Sequence, residues 1–115
     1  MAKNFVQPGH VVTLTAPGAV TSGALVQVGM LVGVAQFDAA SGAPVELALE
    51  GVHELSKVSA QAWTEGQAIY VSSTGLATTA ATGNVLIGAA VAVAANPSPT
   101  GMVRLNGAAP AAAAT

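Results

Sequence analysis

Cysteine is absent from the 115 residues of this chain, and only 7% of them are charged. Without thiols there is no disulfide, no thiolate nucleophile and no thiolate metal ligand, which fits assembly in a reducing compartment. An average soluble chain is about a quarter charged. The surface here must instead be made of Thr, Ser, Gln, Asn, Ala and Gly, which carries little self-repulsion and is expected to be hidden against partners. Lys3, Lys57 and Arg104 are the only cations, too few to neutralise a row of phosphates, so nucleic acid is excluded as a partner.

Long hydrophobic runs are also missing. The most apolar stretch, residues 85–95, would make a helix of only about 17 Å against a hydrocarbon core of roughly 30 Å. No membrane partner is expected. The opening MAKNFVQPGH lacks the apolar run of a secretory signal, so export is not expected either. Aromatics amount to 3%, which does not supply the aromatic cluster of a receptor- or glycan-binding module. Such a surface-displayed binding module is the alternative to the structural role developed below.

What the chain does have is punctuation. Its 13 glycines and 6 prolines separate short segments rich in Val, Thr, Leu and Ile that often alternate, the pattern of β-strands. Strands are predicted over 11–15, 25–28, 31–36, 45–50, 52–55, 68–72, 85–94 and 102–105. The words between them, such as Ala16-Pro17-Gly18, Ala40-Ser41-Gly42 and Ser73-Thr74-Gly75, are turn chemistry. One helical turn is predicted over 59–63, with Ser56 or Ser59 as cap, too short to stand alone.

The two halves repeat. Gly23-Ala-Leu-Val-Gln-Val28 leads to Leu31-Val-Gly-Val-Ala35 and then to a V-x-L strand closing on Gly51. Gly66-Gln-Ala-Ile-Tyr-Val71 leads to Leu86-Ile-Gly-Ala-Ala90 and then to a V-x-L strand closing on Gly107. The expected fold is therefore all-β: a small β-barrel or compact β-sandwich built from two similar β units sharing one core. Gly33 and Gly88 fall mid-strand, where glycine marks a bulge, a bend or the close approach of another backbone. The domain is expected over 10–107, flanked by an arm at 1–9 and a flexible Ala-rich tail at 108–115.

Catalysis needs titratable groups brought together, and few are available. Glu46 and Glu50, on one face of the predicted 45–50 strand, would stand about 13 Å apart, wider than a glycosidase pair. His10 and His53 are the only histidines and lack ligand spacing, so no metal is expected. There is no G-x-S-x-G elbow and no phosphate-binding loop. The reading is a non-enzyme without cofactors. Trp63, the only tryptophan, is either core packing under the loop between the halves or an interface anchor.

In their order and spacing, MAKNFVQPGHVVTLTAPGAVTSG, LVGVA, PVELALEGVHELSK, WTEGQAIYV, LIGAAV and MVRLNG resemble the capsid cement or decoration proteins of tailed bacteriophages, over residues 2–107. The resemblance implies a structural virion protein, made in the host cytoplasm and bound to the outer surface of the head. There it would stabilise contacts between subunits of the major capsid protein. It also implies a homo-oligomer, with a trimer favoured over a dimer, and offers no role for the tail. On that reading Lys3, Asn4, Phe5, Val6 and Gln7 are candidate capsid contacts, because this arm carries two large apolar side chains and no internal pattern. The loop Asn96, Pro97, Ser98 and Pro99 is a candidate rim contact.

Overall fold

The computed structural model describes residues 4 and 6–106. Nine strands form: β1 (Val11–Thr15), β2 (Leu25–Val28), β3 (Leu31–Ala35), β4 (Pro44–Ala48), β5 (Glu50–Ser56), β6 (Ala68–Val71), β7 (Ala77–Thr78), β8 (Val85–Ala90) and β9 (Thr100–Asn106). No helix forms among the described residues. The predicted turn at 59–63 is instead taken up by loop and by a bridge between Trp63 and Ala94.

Two antiparallel sheets result, one ordered β1-β4-β3-β2 and the other β5-β9-β8-β6-β7. The repeat is present in this topology. In each half a three-strand meander, β2-β3-β4 or β6-β8-β9, is joined by the strand that precedes it in the chain, which lies beside the last strand of the meander. That is a Greek-key arrangement made twice. The short β7 is the second half's addition, and nothing in a two-residue segment announces it in the sequence.

The break between β4 and β5 falls at Leu49, not at Gly51. Leu49 N–H still donates to the His10 carbonyl at 2.8 Å, one step beyond the Val11–Ala48 pair of β1 and β4, and the chain then crosses to the other sheet, where Gly51, with φ of 104°, is kept inside β5 opposite Leu105. Glu46 and Glu50 therefore lie in different sheets rather than on one strand face. The predicted 85–94 strand likewise ends at Ala90. After Val91 N–H bonds the Met102 carbonyl at 3.1 Å, the chain bends away so that Ala94 can pair with Trp63.

Both mid-strand glycines are sites of close approach. A Cβ on Gly33 would stand 2.8 Å from the Ala48 carbonyl oxygen, and one on Gly88 would stand 2.9 Å from the Arg104 carbonyl carbon. Gly88 also sits at a register shift, because Ile69 pairs with Gly88 while Tyr70 pairs with Leu86. The extra residue, Ile87, is the bulge, and it bends the central strand of its sheet.

The interior is two clusters rather than one shared core. The first half encloses Ala16, Val26, Ala35, Val45, Leu47 and Leu49. The second half encloses Leu55, Trp63, Ile69, Val71, Val85, Ile87, Val103 and Leu105, and takes Val32 and Val34 from β3. Strand β3 is thus buried on both faces, which is why LVGVA reads as a continuous apolar run instead of alternating. The edges of the second sheet meet only at an isolated bridge between Lys57 and Ala77. The sheet curls without closing, so the architecture is sandwich-like.

Candidate functional site

The loop Asn96, Pro97, Ser98 and Pro99 caps one end of the second half, just before Thr100, which pairs with Ser56 at the far end of β5. Asn96, Pro97 and Pro99 are exposed and Ser98 is half-buried, and the Asn96–Pro97 bond is cis. Its shape is held by Ser98 Oγ donating to the Ala95 carbonyl at 2.7 Å and by Ser98 N–H donating to Ser59 at 3.1 Å. From beneath, Lys57 anchors it. The Lys57 backbone N–H donates to the Pro99 carbonyl at 3.0 Å. Its Nζ donates to the carbonyls of Val58 at 3.0 Å, Ser98 at 3.3 Å and Gln61.

Lys57 is only 3% exposed, and its ammonium lies 5.5 Å from the centroid of the Trp63 ring. Three carbonyl dipoles and an aromatic face thus replace water around a charge that has no carboxylate beside it among the described residues. The Gln61 side chain extends the network, donating from Nε2 to Thr78 Oγ1 at 2.8 Å and accepting Thr79 N–H at 3.0 Å. In this way β5, β7 and two loops are tied into one end of the molecule.

Trp63 is fully buried in the chain's own core, which leaves none of its surface for a partner. Gly101 on β9 makes room for it, since a Cβ there would come within 2.6 Å of the ring. Its indole Nε1 is buried without a hydrogen-bond partner among the described residues. The ring's worth is therefore its area, not its N–H. Trp63→Phe should cost only about 1–2 kcal/mol, because it removes an unsatisfied donor along with some apolar surface, whereas Trp63→Ala should cost about 3–5 kcal/mol. Urea unfolding of the two variants, followed by circular dichroism, checks the difference.

Of the N-terminal arm, Lys3 and Phe5 lie outside the described residues. Asn4, Val6 and Gln7 are exposed, Val6 at 89%. The arm enters the fold at His10, beside the β4–β5 junction. His10, where the described part of the arm meets the fold, and the rim loop lie at opposite ends of β5.

No group of three or more His, Asp or Glu that could hold a metal occurs among the described residues. A cleft of about 630 Å³ runs between β2 with the preceding loop and the 72–75 turn. It is lined by such residues as Thr21, Ala24, Gln27, Ser72 and Thr74, with no titratable side chain among the described residues that line it.

Sequence reasoning missed the outer face of the second sheet. Val52 is 58% exposed and Met102 46%, and Val91 is exposed beside them. In the β5–β9 register they neighbour Glu54 and Arg104. The alternation V-x-E on β5 and M-x-R on β9 was visible in the sequence, but their pairing was not. Phe37, on the loop after β3, and Val93 are further exposed apolar side chains.

No curated protein and no solved structure matches this chain. A family model does: that of the phage cement proteins, over residues 6–105. The match spans both halves of the fold, from the exposed Val6 to Leu105 in β9. The chain belongs to the phage cement protein family and has a structural role associated with the phage capsid.

Proposed function

We propose that this protein binds the outer surface of the assembled phage head and stabilises contacts between neighbouring major capsid protein subunits. The reading is carried by the contrast between core clusters closed within the fold and an apolar side chain left exposed on the arm. Both core clusters are closed by the chain's own strands, while Val6 stands 89% exposed and the described arm residues, Asn4 and 6–9, lie in no strand. Lys3, Asn4, Phe5, Val6 and Gln7 add an extended segment to a capsid strand edge or groove, with Phe5 and Val6 as anchors. The exposed rim loop Asn96, Pro97, Ser98 and Pro99 is a second contact, stiffened in advance by its bonds to Lys57 and Ser59. Pre-organisation of this kind reduces the ordering cost of binding.

A ligand that binds the lattice and not its dissociated subunits shifts the equilibrium toward the lattice. Each copy needs no more than a standard interface of about 800 Å² per partner, because many copies act on one shell. The test uses heads assembled without this protein. Wild-type protein should bind them and raise the temperature at which they release their contents. Deletion of residues 2–7 should reduce occupancy at least tenfold, read by quantitative gel analysis of sedimented heads. Wild-type protein that binds without raising that temperature would remove the stabilising role, and full occupancy by the deletion variant would remove the arm from the mechanism.

A further inference from the structure

We infer that the outer face of the β5–β9 ribbon is a self-complementary surface that pairs two copies of this chain, with Arg104 of each copy over Glu54 of the other. In the β5–β9 register Val52 stands opposite Arg104, and Glu54 opposite Met102. These four side chains form a checkerboard, with the charges on one diagonal and the apolar groups on the other. All four are exposed, and neither Arg104 nor Glu54 has a partner among the described residues. Arg104 is the only arginine of the chain. An unpaired guanidinium set among Val52, Met102 and Ala89 is poorly explained by the fold and well suited to a carboxylate arriving from outside.

Geometry selects a second copy as that source. Neighbouring strands lie about 4.8 Å apart and alternate residues about 6.6 Å apart along a strand, so the checkerboard is a short rectangle whose offset from a square the long Glu54 and Arg104 side chains can span. A two-fold axis laid along its Val52–Met102 diagonal sets Val52 on Val52 and Met102 on Met102. The same operation places Glu54 against Arg104 twice, once on each side of the axis. The two ribbons then cross steeply, as in orthogonal sheet packing. Val91, whose N–H bonds the Met102 carbonyl, widens the apolar strip, and Glu50 stands outside the rectangle, opposite Asn106.

Edge-to-edge pairing through β5 is disfavoured. Gly51 has φ of 104°, and His53 Nε2, as donor, occupies the Glu50 carbonyl at 3.2 Å, both of which interrupt a ladder along that edge. The face, not the edge, is left for association. The formal net charge of −2 opposes it little. A contact centred on four side chains is smaller than a standard interface, so the pair is weak in solution and is strengthened where copies are held close together on a shell. The resulting unit is a two-fold pair, in place of the threefold grouping that the family resemblance favours.

The test uses purified full-length protein, so its outcome does not depend on capsid binding. Sedimentation velocity up to about 1 mM, in the range of effective concentrations on a surface, should show wild type passing from monomer to dimer. Arg104→Glu alone places carboxylates against carboxylates and should weaken the dimer at least tenfold. Glu54→Arg alone should do the same with cations. An equimolar mixture of the two variants should form a heterodimer, because every acid then meets a base. Both positions are exposed, and circular dichroism will confirm that the variants fold. A wild type that stays monomeric, single variants that dimerise like wild type, or a mixture that does not associate would each overturn the proposal. So would association seen only on heads, which would assign the face to the capsid.

Discussion

Gly88→Ala is expected to lower the unfolding temperature by about 15 °C or more, at a cost of about 3 kcal/mol, the upper part of the usual range for overpacking a core. The added methyl would stand 2.9 Å from the Arg104 carbonyl carbon and 3.2 Å from the Leu105 Cα. These are backbone atoms of the neighbouring strand, so no rotamer change relieves the contact. Relief requires β8 and β9 to move apart, and both lie in the middle of the sheet order β5-β9-β8-β6-β7. They carry Ile87, Ala90, Val103 and Leu105 into the same core cluster, so the separation opens the packing of the whole second half. Gly33→Ala should cost less, since one of its close neighbours is the far end of the Leu49 side chain. Gly18→Ala, with nothing within 4 Å of the new methyl, is the control and should leave stability unchanged. Thermal unfolding followed by the fluorescence of the single tryptophan reports all three. A Gly88→Ala protein that melts with wild type would mean that the two strands are not held at this separation.

Gly88 was legible in advance because a glycine in the middle of an apolar strand word has few physical explanations, and its counterpart Gly33 occupied the same place in the other half. The strands were legible for a similar reason. Alternation, β-branched residues and glycine or proline punctuation agree with one another over most of the chain, and four of the nine strands differ from the prediction by at most one residue at either end. The repeated words were legible as a repeat because like sequence takes up like topology, which is what the two Greek keys show.

What could not be read depends on distance through space. Gly51 is the natural place to break the 45–55 segment, yet the break falls at Leu49, because Glu50 and Gly51 already pair with Asn106 and Leu105, far away in sequence. The Arg104 and Glu54 pair belongs to a register that no single strand encodes. Of the proposed capsid contacts, the arm was visible as an absence of pattern and the rim loop as proline-rich turn chemistry. Which groups hold the rim loop in place was not visible at all. Lys57 follows Leu55-Ser56 on a strand and reads as an ordinary solvated cation, because its partners are backbone carbonyls, which every sequence supplies and none advertises.

Lys57→Met is accordingly the second large effect expected, a loss of about 2–4 kcal/mol concentrated at the rim-loop end. Methionine keeps roughly the length of the buried stem but withdraws the donors from the carbonyls of Val58, Gln61 and Ser98. Each carbonyl left buried without a partner costs about 1–3 kcal/mol. The sum is not reached in full, because removing the ammonium also removes the cost of keeping a charge 3% exposed, and the loops can open to water. That opening is the diagnostic part. Ser98 keeps its own bonds to Ala95 and Ser59, so the loop should loosen rather than unfold, and amide exchange over 96–99 should accelerate more than exchange in β8. Lys57→Arg should fall between methionine and wild type, since a planar guanidinium cannot aim at carbonyls on three sides as a tetrahedral ammonium can. Urea midpoints at an unchanged slope measure the stability, and hydrogen exchange locates it. A Lys57→Met midpoint equal to wild type would show that the buried ammonium contributes no net stability. A loss spread evenly over the second half would assign its role to packing on Trp63 rather than to holding the rim loop.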